Sequence, residues 1–210
     1  TELAGCPVVV SQTGFSGEAG FEVFVRDASL NAEPVWYALR GHGARFGLRV
    51  IAPAHHRRIA AGILSWGQDM DMETSPFQVN LAYQVPRRKK ADYIGKAALE
   101  AQRADIDAGR YPFRLKMVGL ALGGKPITDY APDFWLISTP EKDRVGYVTS
   151  PWWSPELGHN IALGFVPIGM TELGTRLRVE LPEAYCEESG QPVDAEVVEV
   201  PFRASVHPSA

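Results

Sequence analysis

The chain has 210 residues, of which 45% are hydrophobic and 22% charged, and its net charge is -4. That composition is ordinary for a globular protein with one large domain or two small ones. It argues against a nucleic-acid binder, which wants a basic face, and no run approaches the roughly 18 apolar residues that a membrane-spanning helix needs.

Pro7–Ser11 and Phe21–Val25 read as β-strands on either side of a glycine-rich loop, GFSGEAG. Ala32–Leu39 reads as a helix, with Gly41 and Gly43 suited to a left-handed C-cap. Ala54–Leu64 reads as a second helix, because Pro53 suits its first turn and Ile59, Ala60 and Ile63 share a face. Ile94–Ile106 reads as a third, ending at Gly109. The character changes after Pro112. Six short β-like runs follow: Met117–Leu122, Trp135–Ser138, Val145–Ser150, Asn160–Val166, Arg176–Leu181 and Ala195–Val200. The expected fold class is therefore α+β, with a mixed α/β part over residues 1–110 and an antiparallel β-barrel or sandwich over 111–210. A strand begins within a few residues of Thr1, which suggests a piece of a longer chain. The N-terminus lacks the basic start and long apolar stretch of a signal peptide. Cys6 and Cys186 form neither a CxxC pair nor a zinc pattern, which favours reduced thiols in a cytoplasmic protein.

Gly14, Gly17 and Gly20 recur at every third position of the loop. A plain hairpin accounts for them, since glycine adopts positive φ without steric cost. Their GxxGxxG spacing matches neither the dinucleotide GxGxxG nor a Walker loop, and Glu18 and Glu22 would repel phosphate. A second reading gives Glu22 a ligand. Strand alternation sends it to the face opposite Phe21 and Val23. A carboxylate there can accept a paired hydrogen bond from a guanidine-like edge, such as that of a pterin ring.

Other candidates have simpler readings. Adjacent His55 and His56 point about 100° apart on a helix, with no third ligand nearby, so no metal is expected. Asp69 and Asp71 in GQDMDMET lack EF-hand spacing and read as turn or N-cap residues. Arg58 can solvate a helix face, and Trp66, Trp152 and Trp153 can be core or stacking residues. The run Arg87–Lys90 reads as a solvated loop that can attract polyglutamate or an acidic partner. No Ser–His–Asp or Cys–His order can be defended.

Three stretches together carry a family resemblance. SQTGFSGEAGFEVFV, from Ser11, resembles the T-G-[YF]-[ST]-G-E-x-G-[FY]-E motif of the glycine-cleavage T-protein family, the tetrahydrofolate-dependent aminomethyltransferases. RRIAAGILSWGQDMDMETSPFQ (Arg57–Gln78) is similar to its R-[LI]-E-A-G…G-[NQ]-D…P segment. RVGYVTSPWWSPELGHNIALGFVP (Arg144–Pro167) is similar to its G-x-V-T-S…N-[IV]-A-[LM]-G-[YF]-V-P segment. The resemblance runs along all 210 residues but matches only the C-terminal half or so of a typical member.

The resemblance implies that residues 1–110 are the C-terminal portion of a folate-binding domain and residues 111–210 a β-barrel domain. It implies transfer of an aminomethyl or methyl group from an N-, S- or O-linked donor to tetrahydrofolate. Carried over position by position, it places Glu22 on the pterin edge, Phe15 and Trp66 on its apolar walls, and Arg58 as a further folate contact. Arg203 loosely matches a C-terminal basic residue near the cofactor. The family's aspartate beside the reactive nitrogen would lie upstream of Thr1, so no catalytic residue is named here and residues 1–210 alone are expected to be inactive. The expected partners are a small-molecule one-carbon donor or a lipoyl carrier protein, and the N-terminal part of the same protein. The stretches ILSWGQDMDMETSPFQVNL and DYIGKAAL resemble the demethylase-like branch more than the T-proteins proper. One departure is RIAAG for the family's R-x-E-A-G, with Ala60 in place of an acid. Two alternatives from other classes stand beside this reading: a non-catalytic folate-binding module, and a folate domain fused to a sarcosine or dimethylglycine oxidase.

Overall fold

The computed structural model describes residues 1–202. They form two compact units, Thr1–His55 and the residues from His56 onward, the first built around one apolar cluster and the second around two.

The first unit is a three-stranded antiparallel sheet with a helix. β1 (Glu2–Leu3) pairs with β2 (Cys6–Ser11), and β2 pairs with β3 (Glu22–Val25), with Val8 opposite Val25 and Ser11 opposite Glu22. Alternation divides the sheet. Cys6, Val8, Val23 and Val25 face α1 (Ala28–Gly43) and pack with Val35, while Val9 and Phe24 lie on the other face and are about half exposed. The helix is longer than Ala32–Leu39. It runs through Gly41 and Gly43, and the left-handed residue is Gly47, after a 3-10 turn. Gly43 serves close packing instead: a Cβ there would stand 2.8 Å from Leu48 Cβ.

α2 spans His55–Ala60, all but its first residue in the second unit, and stops short of Leu64. Gly62, at φ +70°, ends it. Its N–H donates to the Ile59 carbonyl (2.9 Å) and that of Ile63 to the Arg58 carbonyl (2.8 Å), the two bonds of a Schellman cap. α3 (Lys96–Asp107) ends the same way, with Gly109 at φ +76°. Six strands then close a barrel: β4 (Leu115–Leu122), β5 (Trp135–Ser138), β6 (Arg144–Ser154), β7 (His159–Pro167), β8 (Arg176–Val179) and β9 (Val193–Val198), in the order β4-β7-β6-β5-β8-β9 with β9 returning to β4. All six β-like runs of the sequence are strands of this barrel. Closure leaves no strand edge unpaired.

The barrel interior is filled by Val118, Leu120, Leu122, Ile137, Val148, Val179 and Val197. β7 is buried on both faces. Ala162 and Val166 point in, while Ile161, Leu163 and Phe165 point out and pack under Ile59, Ala60 and Val79. That double burial explains its unbroken apolar run. Ala60, where the family has an acid, is 3% exposed in this outer layer, a place for a small apolar side chain. Among the described residues, no helix is long and apolar enough to cross a membrane.

Candidate functional site

Two clusters contain the residues singled out by sequence, one in each unit. The first is the glycine hairpin. Of its three glycines only Gly17 has a positive φ, +71°. Glu22 opens β3 on the sheet face away from α1, and its exposed carboxylate accepts a short hydrogen bond from the Thr13 hydroxyl, which also lies 3.1 Å from Ser11 Oγ. The loop thus braces the carboxylate from one side and leaves the other open. Phe15, in the same loop, is 51% exposed. A cavity of about 580 Å³ lies on the helix side of the sheet, lined by Val23, Val25, Val35, Trp36 and Leu39; Glu22 is not part of its lining.

The second cluster surrounds Arg58, whose guanidinium is turned into the protein. Arg58 is 1% exposed. Its Nη1 donates to Asp69 Oδ2 (2.6 Å) and to the Ile63 carbonyl (3.1 Å), and its Nη2 to Ser150 Oγ (2.8 Å) and Gln68 Oε1 (3.2 Å). Asp69 is saturated in turn. Its Oδ2 also accepts from Ser65 N–H (2.8 Å), and its Oδ1 from the hydroxyls of Thr149 and Ser150, both at 2.6 Å. Gln68 is held by its own donor on the Thr149 carbonyl (2.8 Å) and by the Tyr130 hydroxyl on its Oε1 (2.5 Å). A buried ion pair needs such partners, because desolvation otherwise offsets its Coulomb attraction.

A bulge makes the arrangement possible. Neighbouring strand residues point to opposite faces, so Thr149 and Ser150 of a regular β6 could not both reach one carboxylate. The β6–β7 register passes from Val148 opposite Gly164 to Ser150 opposite Leu163, which leaves Thr149 as the extra residue. Both hydroxyls then meet Asp69 Oδ1.

Asp69 therefore closes the tight loop Ser65–Met70, in which Gly67 N–H also donates to the Met70 carbonyl (2.8 Å). The loop displays Trp66, 62% exposed, from a fixed base. Asp71 belongs to its own turn, where the Thr74 hydroxyl (2.8 Å) and Glu73 N–H (2.9 Å) hold its carboxyl below the ordinary value. Glu22 and Phe15 thus share one hairpin, and Arg58, on α2, holds the loop that carries Trp66. Arg203 lies outside the described residues. Sequence reasoning assigned Asp69 to a turn and missed it as the partner of Arg58. The available signal was the coincidence of Arg58, the Gln68–Asp69 pair and the Thr149–Ser150 pair in two of the three motif stretches.

Comparison with known proteins points the same way. Residues 1–89 match the GCVT N-terminal domain family, and residues 115–203 match the glycine cleavage T-protein C-terminal barrel domain. An aminomethyltransferase of Saccharopolyspora erythraea is 34% identical over 96% of this chain and 51% of its own length. The dimethylsulfoniopropionate demethylase DmdA of Ruegeria pomeroyi is 35% identical over 85% of this chain and 46% of its own. A trimethylamine-oxide aldolase of the same organism is 35% identical, with 83% of this chain covering 21% of that protein. Among solved structures, the glycine cleavage system aminomethyltransferase T of Bartonella henselae superposes with a TM-score of 0.66 at 26% identity, over 93% of this chain and 50% of that one. The chain spans about half the length of the curated relatives it matches, and these identities do not separate the aminomethyltransferase branch from the demethylase branch. Through both of its domain matches, and with a closed barrel over the residues that match the family's barrel domain, the chain belongs to the glycine-cleavage T-protein family.

Proposed function

We propose that the protein containing this chain is a tetrahydrofolate-dependent one-carbon transferase, moving a methyl or aminomethyl group from an N-, S- or O-linked donor to the folate. The observation that carries this reading is the Glu22 carboxylate: exposed, braced on one side by Thr13 and open on the other. Such an acceptor fits the paired N–H donors of a pterin edge, and the exposed ring of Phe15 in the same loop fits an apolar wall. When bound, tetrahydrofolate supplies the nitrogen that accepts the one-carbon unit.

The work of these residues is positional. Holding donor and acceptor in a reactive geometry and keeping water away supplies much of the rate in a transfer of this kind. Glu22 and Phe15 orient the cofactor. Arg58 serves through the loop it fixes, since its guanidinium is committed to Asp69 and Ser150. The aspartate that manages the proton is sought in the half of the relatives' length that this chain does not contain. The donor is a small molecule of the demethylase type or, failing that, an aminomethyl group on a lipoyl carrier. Both cysteines are buried and unpaired, in keeping with a reducing, cytoplasmic setting.

The match that covers 21% of a longer aldolase favours a second arrangement, in which the same folate domain is fused to another enzyme. One assay separates the readings. The protein as its gene encodes it is incubated with tetrahydrofolate and, in turn, dimethylsulfoniopropionate, a methoxylated aromatic acid and an aminomethylated lipoyl carrier, and folate products are read by mass. Transfer from one of them identifies the donor. Binding without transfer from any makes the domain a folate-binding module, and absence of folate binding ends the proposal.

A further inference from the structure

Ahead of α3 the chain runs through Arg87, Arg88, Lys89 and Lys90, four successive cations in a chain of net charge -4. A solvated basic run can spread out to relieve its repulsion; this one is pinned. Arg87 makes a two-bonded fork with Asp107, at 2.8 and 2.9 Å. The Lys96 ammonium donates to the carbonyls of Lys89 (3.2 Å), Lys90 (3.5 Å) and Ala91 (3.4 Å). The Lys89 ammonium stands 5.0 Å from the Tyr93 ring centre. The fold thus holds a run of like charges in one pinned loop.

Local counter-charge is sparse. Asp107 is taken by Arg87, Asp92 accepts from the Tyr93 N–H (2.9 Å), α3 has no acid in its first turn, and Glu100 is 4.0 Å from Lys96. Arg88 and Lys90 are exposed and have no ion-pair partner among the described residues. Beside them Ile94 is fully exposed, at 102%.

We propose that this loop docks an acidic segment of a partner protein, with Arg88, Lys89 and Lys90 meeting its carboxylates and Ile94 acting as the apolar anchor. Protein interfaces join a central apolar contact to a polar rim. A loop already pinned has less freedom to lose on binding. A lipid surface suits it less: basic clusters that hold membranes carry roughly 4–8 available cations, and Arg87 and Lys96 are already engaged here. The inference is independent of the folate reading.

The test is anisotropy of a fluorescent oligoglutamate peptide carrying one leucine, titrated with the full protein at about 30 mM and about 300 mM salt. Binding is expected at low salt, weakening at high salt. The variant R88S/K89S/K90S should lose about tenfold or more in affinity and Ile94→Ser a smaller factor, while Arg144→Ser, an exposed change on the barrel, leaves binding unchanged. Melting curves check that the exposed substitutions leave the fold intact. No binding at low salt overturns the proposal, and so does equal binding by the triple variant. Binding to phosphatidylserine vesicles without binding to the peptide also overturns it, in favour of a lipid surface.

Discussion

In the barrel, β7 points Ala162 and Val166 inward and Ile161, Leu163 and Phe165 outward, and all five are buried. In the sheet of Thr1–His55, Val9 and Phe24 face each other across β2 and β3 on an uncovered face, 46% and 55% exposed. The contrast lies in the layers. A closed sheet buries one face against itself, and the segment around Ile59, Ala60 and Val79 covers part of the other. An open sheet with one helix covers a single face and keeps a core of only Cys6, Val8 and Val35 fully buried. Sequence alone makes the strands of both regions look alike, since β-branched and aromatic residues fill each.

The largest expected effect tests what ties the covering segment to the barrel. Asp69→Ala leaves the buried Arg58 without its carboxylate and should cost about 3–5 kcal/mol in urea unfolding. A loss below about 1 kcal/mol, the scale of an exposed pair, would mean that the network contributes no more than a surface ion pair. Next, Leu120→Ala opens a cavity in the barrel interior and should cost about 2–5 kcal/mol. The matched change on the other sheet, Phe24→Ala, made in residues 1–210, should stay within about 0.5 kcal/mol, as at most exposed positions. Equal costs at the two positions would erase the contrast.

The smallest effect concerns pH. Tyr111 donates to the Phe77 carbonyl (3.0 Å), and burial pushes its phenol up to about 12. An unfolded phenol ionises near pH 10. The contribution of Tyr111 is therefore complete below about pH 10 and declines as the pH rises toward 12, because the unfolded chain releases its proton first. Tyr111→Phe should shallow that decline without abolishing it, since burial also raises Tyr147 and Tyr185. An unchanged slope would show that the phenol is not held by its surroundings.

Most of the barrel was legible in the sequence, because its strands are short apolar runs punctuated by glycine and proline. Helix ends were less so. Gly62 stops α2 early through a cap whose partners, Arg58 and Ile59, cannot be recognised from composition. Glu22 was legible as a strand residue on the face opposite Val23, but which face the helix covers was not. The burial of Arg58 was not, because its partner Ser150 is 92 residues away and reaches it only through a bulge.

The central claim is that Glu22 recognises the pterin head of tetrahydrofolate. Calorimetric titration of tetrahydrofolate into the full protein and its Glu22→Ala variant tests it most directly. The account predicts binding by the parent and a loss of about 1–3 kcal/mol in the variant, as for removal of a charged acceptor. Equal affinity in the two proteins would take Glu22 out of the site and the proposal with it.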